Sequence, residues 1–351
     1  MITKRQGSRV NFNNPIQLTL IVCPHCKGKL ISKTSNSIQC QQCMVEFHLI
    51  NGMPDLRTHS DRYLSLNQER RKAQRLAEKE HNCNLEELAR AYYSMTADVD
   101  ATRREQFVRH ILDANHRGYA LLERLPKNGA ILEVGCGTGG FLAAAFESGR
   151  NAIGIDIASR WLVVARKRVS RDKFDENHDR IFPACVEKMP FSDESFDLIV
   201  ADSLLEHLNE PIQAIREMLR VLKPGGTIWI WSPNGRWPGP DPHVGLWVIK
   251  WLPEGMAKWY LKKRRGQIYQ PLCRSPRQWY DLIRDNSSNI LITFQAADMS
   301  GWPKTDRSLR GRIARLLGIV SRIPILNFIL TEFGPVGEIQ ITSESQKMKA
   351  S

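Results

Sequence analysis

The sequence predicts an α/β fold, a doubly wound sheet preceded by a small metal-stapled module. Two observations predict it. Residues 130–157 run apolar strand, Gly-rich turn, helix, strand and acid, the order of a nucleotide-binding β-α-β unit. Residues 23–43 carry two Cys-x-x-Cys pairs separated by thirteen residues, the spacing of a four-thiolate metal site.

The chain has 351 residues, 42% hydrophobic and 25% charged, enough for one large domain and a small one. Its composition argues against disorder, collagen-like repeats and a disulfide scaffold. Of the net charge of +13, residues 256–315 carry +9. An excess of this kind suits nucleic acid or an anionic membrane surface. The start, MITKRQGSRVNF, has no apolar h-region, and no run of about 18 apolar residues occurs, so neither a secretory signal nor a membrane-spanning helix is expected. The expected location is the cytoplasm, with peripheral contact at the inner membrane face. In that reducing compartment, clustered cysteines read as metal ligands.

Residues 1–58 form the first predicted unit. In CPHCKGKLISKTSNSIQCQQC, each Cys-x-x-Cys turn offers two corners of a tetrahedron, so Cys23, Cys26, Cys40 and Cys43 close a zinc site. Four protein ligands leave no open position, which makes the zinc structural. The metal replaces the core that so few residues cannot build. His25 and His48 lie nearby and are expected to face solvent. The stretch CPHCKGKL through IQCQQCMVEFHLINGMPDL resembles the zinc-ribbon proteins that bind and activate tRNA, rRNA and protein methyltransferases. Met53 stands where their closing motif usually has isoleucine. The resemblance implies a methyltransferase downstream.

Residues 59–115 are polar and helix-prone and read as a linker of two or three helices. Asn84 and Glu87 have the spacing of a capping box. Arg70, Arg71, Lys72 and Arg75 read as a solvated face, because acids cancel them locally.

The third unit, 116–351, holds the nucleotide-binding elements. Ala130 to Val134 is an apolar run suited to a buried parallel strand. GCGTGG follows, then the helix-prone FLAAAFES, then the strand NAIGIDI ending near Asp156. Glycines let the backbone approach a ligand, and the acid can accept ribose hydroxyls. EVGCGTGG resembles motif I of the class I S-adenosylmethionine-dependent methyltransferases, in the type 11 or quinone-methylating group. The likeness continues through EKMPF, DESFD, LLEHL and LRVLKPGG, in order, over about 100 residues. It implies a Rossmann-like seven-stranded methyltransferase sheet with S-adenosylmethionine as cofactor. It also implies that Gly135, Gly137 and Gly139 let the main chain pass close to the cofactor. Glu133 would serve its ammonium group, Asp156 its ribose, and Ile157 and Val186 its adenine, with Asp202 at the same site. Cys185 stands where the family often has an aspartate for the adenine amine, and a thiol is a weak acceptor.

Methyl transfer to oxygen usually needs a base. Glu206 and His207 follow the fourth strand of the domain, at the carboxyl end where such sheets bind ligands. Ser203 replaces a glutamate that some relatives use beside a metal, so a second metal is not expected. Asp241 and His243 sit in a Pro- and Gly-rich segment resembling the insertion of methyltransferases that act on glycolipids and glycans. His243, oriented by Asp241, is a candidate base, as is His207. Residues 232–285 are expected to form a lid, and its tryptophans either line an acceptor pocket or build the core of added helices.

Lys262 to Arg265 is a dense cationic run. Arg312, Arg315 and Arg322 fall within about 80° on a helix, with Ile313, Leu317 and Val320 opposite, a basic amphipathic stretch suited to a membrane surface. Glu338 to Thr342 reads as the last strand and the antiparallel edge of the sheet.

The expected function is methyl transfer from S-adenosylmethionine, onto oxygen, to a small-molecule or lipid- or glycan-linked precursor. The alternative is a tRNA or rRNA methyltransferase, with nucleic acid as partner. Against it, DSLL stands where amino-group methylases of bases often carry an Asn-Pro-Pro-Tyr type tetrapeptide. A third reading is a non-catalytic adaptor that keeps the cofactor fold and binds partners through the ribbon.

Overall fold

The computed structural model describes residues 20–96, 101–170, 179–241, 244–265, 273–296, 309–320 and 323–343. The ribbon is a four-stranded antiparallel sheet of β1 (Leu30–Thr34), β2 (Ser37–Cys40), β3 (Glu46–Ile50) and β4 (Met53–Pro54), in chain order. Its buried apolar side chains are few, chiefly Leu30, Ile38, Phe47 and Ile50, as expected for a module this small. His25 and His48 are exposed.

Three helices follow, α1 (Leu66–Glu80), α2 (Leu85–Ser94) and α3 (Ala101–Leu112). Ser65 with Gln68, and Asn84 with Glu87, form capping boxes that satisfy the first amides of α1 and α2. The asparagine box is the one the sequence predicts.

The large sheet is built from α4 (Ala114–Leu122), β5 (Ile131–Val134), α5 (Gly140–Glu147), β6 (Ala152–Asp156), α6 (Ser159–Val169), β7 (Ile181–Pro183), β8 (Phe196–Asp202), α7 (Pro211–Val221) and β9 (Leu222–Pro233). After it come α8 (Glu254–Arg265), α9 (Pro276–Arg284), β10 (Ile290–Ala296), α10 (Leu309–Val320), α11 (Pro324–Phe333) and β11 (Val336–Ser343). The strand order is β10-β11-β9-β8-β5-β6-β7, with β9 through β7 parallel. One expectation is corrected here. β11 is antiparallel but internal, paired to β9 on one side and β10 on the other. Its Glu338, Ile339 and Ile341 are buried, whereas β10 leaves Leu291 60% exposed, as an edge strand can.

The segment read as a linker packs tightly on the sheet's helical layer. Glu69 of α1 is fully buried and pairs with Arg160 of α6, which Asp61 also meets at 3.3 Å. The Tyr92 ring of α2 lies 4.1 Å from that of Trp161. Arg70 is not merely solvated, since it pairs with the buried Asp55 at 2.8 Å. The ribbon docks on the segment after β7. Val22 donates its amide to the Pro190 carbonyl at 3.0 Å, Leu56 to Pro183 at 2.9 Å, and Lys27 Nζ reaches the Met189 carbonyl at 2.8 Å.

Candidate cofactor and acceptor site

Three acids converge at the carboxyl ends of β5, β6 and β8. Asp156 closes β6, and the Gly-rich turn folds over it. Gly137 donates its amide to Asp156 Oδ2 at 2.9 Å, and Ala158 donates to Oδ1 at 2.7 Å. Burial raises the Asp156 carboxyl to about 6 despite these two amides. Glu133, in β5, is buried, and its Oε2 has no hydrogen-bond partner among the described residues. Burial pushes its carboxyl well above the carboxylate range, and Asp202 and Asp156 push it further. An orphaned buried carboxylate oxygen facing two more acids calls for a cation. The ammonium and sulfonium of S-adenosylmethionine supply positive charge, so the residues fit this cofactor.

The turn itself leaves room. Gly135, Gly137 and Gly139 have φ of 72°, 50° and 74°. At Gly139 a side chain would also meet the Ala165 Cβ at 2.9 Å, so glycine is required for the turn to approach α6. Beyond β6, Ile157 is half-buried and Val186 buried, two apolar walls on the side where the sequence places adenine. Ile157 is held from the ribbon side: Arg57 Nη1 donates to its carbonyl at 2.9 Å. Arg57 is buried and grips Asp55 with its other nitrogens at 2.6 and 3.0 Å. Cys185 is buried and its Sγ accepts the Thr58 amide at 3.4 Å, so the thiol is occupied by the chain that leaves the ribbon.

Past β8, a single 3-10 turn, Leu205–His207, brings Glu206 and His207 to the crevice. Glu206 is fully buried, with Oε2 accepting the Ser232 hydroxyl at 3.4 Å. His207 is partly exposed. Its Nε2 lies 3.9 Å from Glu206 Oε1, and its Nδ1 lies 3.3 Å from the Tyr63 hydroxyl. Tyr63 comes from the segment after the ribbon, 144 residues away.

In the segment after β9, Asp241 is buried, accepts the Val244 amide at 3.0 Å and faces Lys250 Nζ at 3.5 Å. These contacts make Asp241 an organiser of the turn. His243 lies outside the described residues. Trp229 and Trp231 of β9 belong to the sheet, Trp229 buried. They pack under the Arg124 guanidinium at 5.1 and 5.7 Å, and Trp231 Nε1 donates to Glu338.

Cys23, Cys26, Cys40 and Cys43 come together, their Sγ atoms all within 4.8 Å of one another. Cys23 and Cys43 are 3.6 Å apart and Cys26 and Cys40 3.4 Å. Zinc bound at ~2.3 Å in a tetrahedron would hold its sulfurs ~3.8 Å apart, so the cluster could hold a metal ion with little movement. Among the described residues it is the one group of His, Cys, Asp and Glu side chains arranged this way.

The methyltransferase-domain family matches residues 132–230. A ubiquinone biosynthesis O-methyltransferase of Alkalilimnicola ehrlichii is 31% identical over 188 residues, covering 47% of this chain and 72% of that protein. The chain belongs to the S-adenosylmethionine-dependent methyltransferases. The methyltransferase is also 36% identical over 112 residues to a demethylmenaquinone methyltransferase of Chlorobaculum parvum, covering 32% of this chain and 42% of that one. A solved S-adenosylmethionine-dependent methyltransferase of Thermotoga maritima overlays with a TM-score of 0.41 at 17% identity, over 68% of this chain and 98% of that chain.

Arg57 and Tyr63 carry no signal in the sequence of this methyltransferase. Each is a single residue in a polar stretch, and each acts on a partner at least 100 residues away. The third reading, a non-catalytic adaptor, is set aside: family and relatives make the chain an enzyme.

Proposed function

We propose that this methyltransferase O-methylates a small-molecule or lipid- or glycan-linked precursor, with His207 as general base. The observation that carries the reading is the array Tyr63–His207–Glu206 at the carboxyl end of β8, beside the three acids of the cofactor crevice. The likeness to quinone-methylating enzymes supports a small-molecule acceptor.

S-adenosylmethionine, when bound, supplies an electrophilic methyl carbon on sulfur. Glu133 offsets the ammonium charge, Asp156 accepts from the ribose hydroxyls, and Ile157 and Val186 enclose adenine. Gly135, Gly137 and Gly139 admit the backbone to close range, and Asp202 adds negative charge at the strand end. His207 Nε2 takes the acceptor's hydroxyl proton, and its Nδ1–H is steadied by the Tyr63 oxygen. Glu206, buried 3.9 Å away, stabilises the imidazolium that results. Asp241 holds the turn at the start of the lid through the Val244 amide and Lys250. Zinc on Cys23, Cys26, Cys40 and Cys43 is structural and fixes the ribbon (1–58) on the catalytic domain (116–351). The helices of 59–115 join them, and 232–285 form the lid. The enzyme works in the cytoplasm, at the membrane face where lipid-linked precursors are met.

The test is methyl transfer from labelled S-adenosylmethionine into cell extract, followed by partition. Label in the organic or small-molecule fraction supports the reading. Label in nucleic acid overturns it in favour of tRNA or rRNA.

A further inference from the structure

Two helices near the crevice show apolar faces to solvent. On α11, Ile325, Phe328 and Ile329 recur at i, i+3 and i+4 and are 76%, 70% and 48% exposed. On α10, Leu316 and Ile319 are 59% and 62% exposed. A soluble helix normally turns such a stripe inward. The sequence expectation for α10 set Arg312, Arg315 and Arg322 on one side and Ile313, Leu317 and Val320 on the other. The structure places Leu316 and Ile319 outside, beside the exposed Arg312, while Arg322 lies outside the described residues.

The lid repeats the pattern. Ala257 and Leu261 of α8 pack with Val244, Leu246 and Ile249 into a small core of their own. The opposite side of the lid exposes Trp251, Met256 and Trp259, with Lys263 Nζ 4.9 Å from the Trp259 ring and Lys262 and Arg264 exposed. The two surfaces are tied at the mouth of the crevice. Asn234, one residue after β9, donates through Nδ2 to the Glu332 carbonyl at 3.0 Å, and Arg236 pairs with Glu332 and lies over the Phe333 ring.

We infer that α10, α11 and the outer face of the lid form one docking surface for an anionic phospholipid bilayer. Ile325, Phe328 and Ile329 enter the acyl boundary, the tryptophans sit at headgroup depth, and the lysines and arginines meet lipid phosphates. Charge chooses this occupant. Lys262, Lys263, Arg264 and Arg312 are exposed on this surface, so a second copy docked on the same face would bring two cationic patches together. No described helix is long and apolar enough to cross the membrane, so contact is with its surface. The inference deepens the lipid-linked acceptor reading, because the surface opens beside the crevice that would receive such an acceptor.

The experiment is co-sedimentation of the full chain with vesicles of phosphatidylglycerol and phosphatidylcholine, and of phosphatidylcholine alone. No acceptor or turnover enters it, so docking and acceptor chemistry can fail separately. The chain is expected to pellet with the anionic vesicles and to shift its tryptophan emission to the blue. The double variant Phe328→Ser/Ile329→Ser should bind roughly tenfold less or weaker still, from the lost apolar burial, with an unchanged melting curve. No pelleting with anionic vesicles overturns the inference, as does equal pelleting of parent and variant. A concentration-dependent dimer of the parent that the variant abolishes also overturns it, and assigns the face to self-association.

Discussion

Arg57 ties the end of the zinc-ribbon segment to the cofactor wall, donating to the carbonyl of Ile157 at 2.9 Å while its remaining nitrogens grip Asp55. The ribbon therefore shares hydrogen bonds with the loop that follows Asp156. Arg57→Ala should weaken S-adenosylmethionine binding about three- to tenfold, the scale of one ordinary hydrogen bond, because the contact acts on the cofactor wall and not on the cofactor. Calorimetric titration checks this, and an unchanged Kd would separate the ribbon from cofactor binding.

Metal removal should act through the same junction. A chelator strong enough to strip the four thiolates should unfold the ribbon and release the contacts of Val22, Lys27 and Leu56 with residues 183–190. The melting temperature should fall, and zinc should restore it. A melting curve indifferent to chelation would show that the cysteines hold no structural metal.

The pH dependence of cofactor binding should report Asp156. Its folded carboxyl is raised to about 6 by burial, above the ordinary value of 3.8. The folded chain thus holds this proton more tightly than the unfolded one. Ionisation opposes folding as the pH climbs through that window, the reverse of a salt-bridged acid. Ribose hydroxyls need the ionised acceptor, so affinity in the free enzyme should be flat above about 7. Below about 6 it should fall up to tenfold per pH unit. Asp156→Asn should remove that inflection, and a profile shared by parent and variant would assign it elsewhere.

His207→Ala should lower turnover by about 10²–10⁴, the usual worth of a general base, and leave cofactor affinity within twofold or so. Tyr63→Phe should cost less, because it loses only the hydroxyl that steadies Nδ1. If His207→Ala turns over normally, the proton goes elsewhere.

Glu69→Ala should destabilise the fold by about 3–5 kcal/mol, since it strips a buried partner from Arg160. Urea unfolding measures it. Glu69→Gln should recover part of the loss by keeping a hydrogen-bond acceptor.

What the sequence shows plainly is local. The cysteine spacing, the GCGTGG turn between two apolar strands, and Asn84 three residues before Glu87 each carry their partner within a short window, and the structure joins each as expected. What it hides is long-range. Nothing around Tyr63 marks it as a neighbour of His207, and Glu69 reads as one more charge on a polar helix until Arg160 covers it. The apolar face of α11 is hidden too, because exposure depends on what packs against the helix and not on its own residues. The order of the last two strands is hidden for the same reason, because an alternating pattern fixes a strand but not its neighbours.

The place of β11 sets a schedule for assembly. It follows every other described strand, yet it fills the gap between β9 and β10. Until it emerges from the ribosome, β9 has one bare side and β10 no described partner. A nascent chain stopped just before Val336 would expose unpaired backbone on both. The amino-terminal ribbon can close on its metal long before then. A metal-dependent step at the ribbon can therefore precede the insertion of β11, and a chaperone would be needed most in the interval between them.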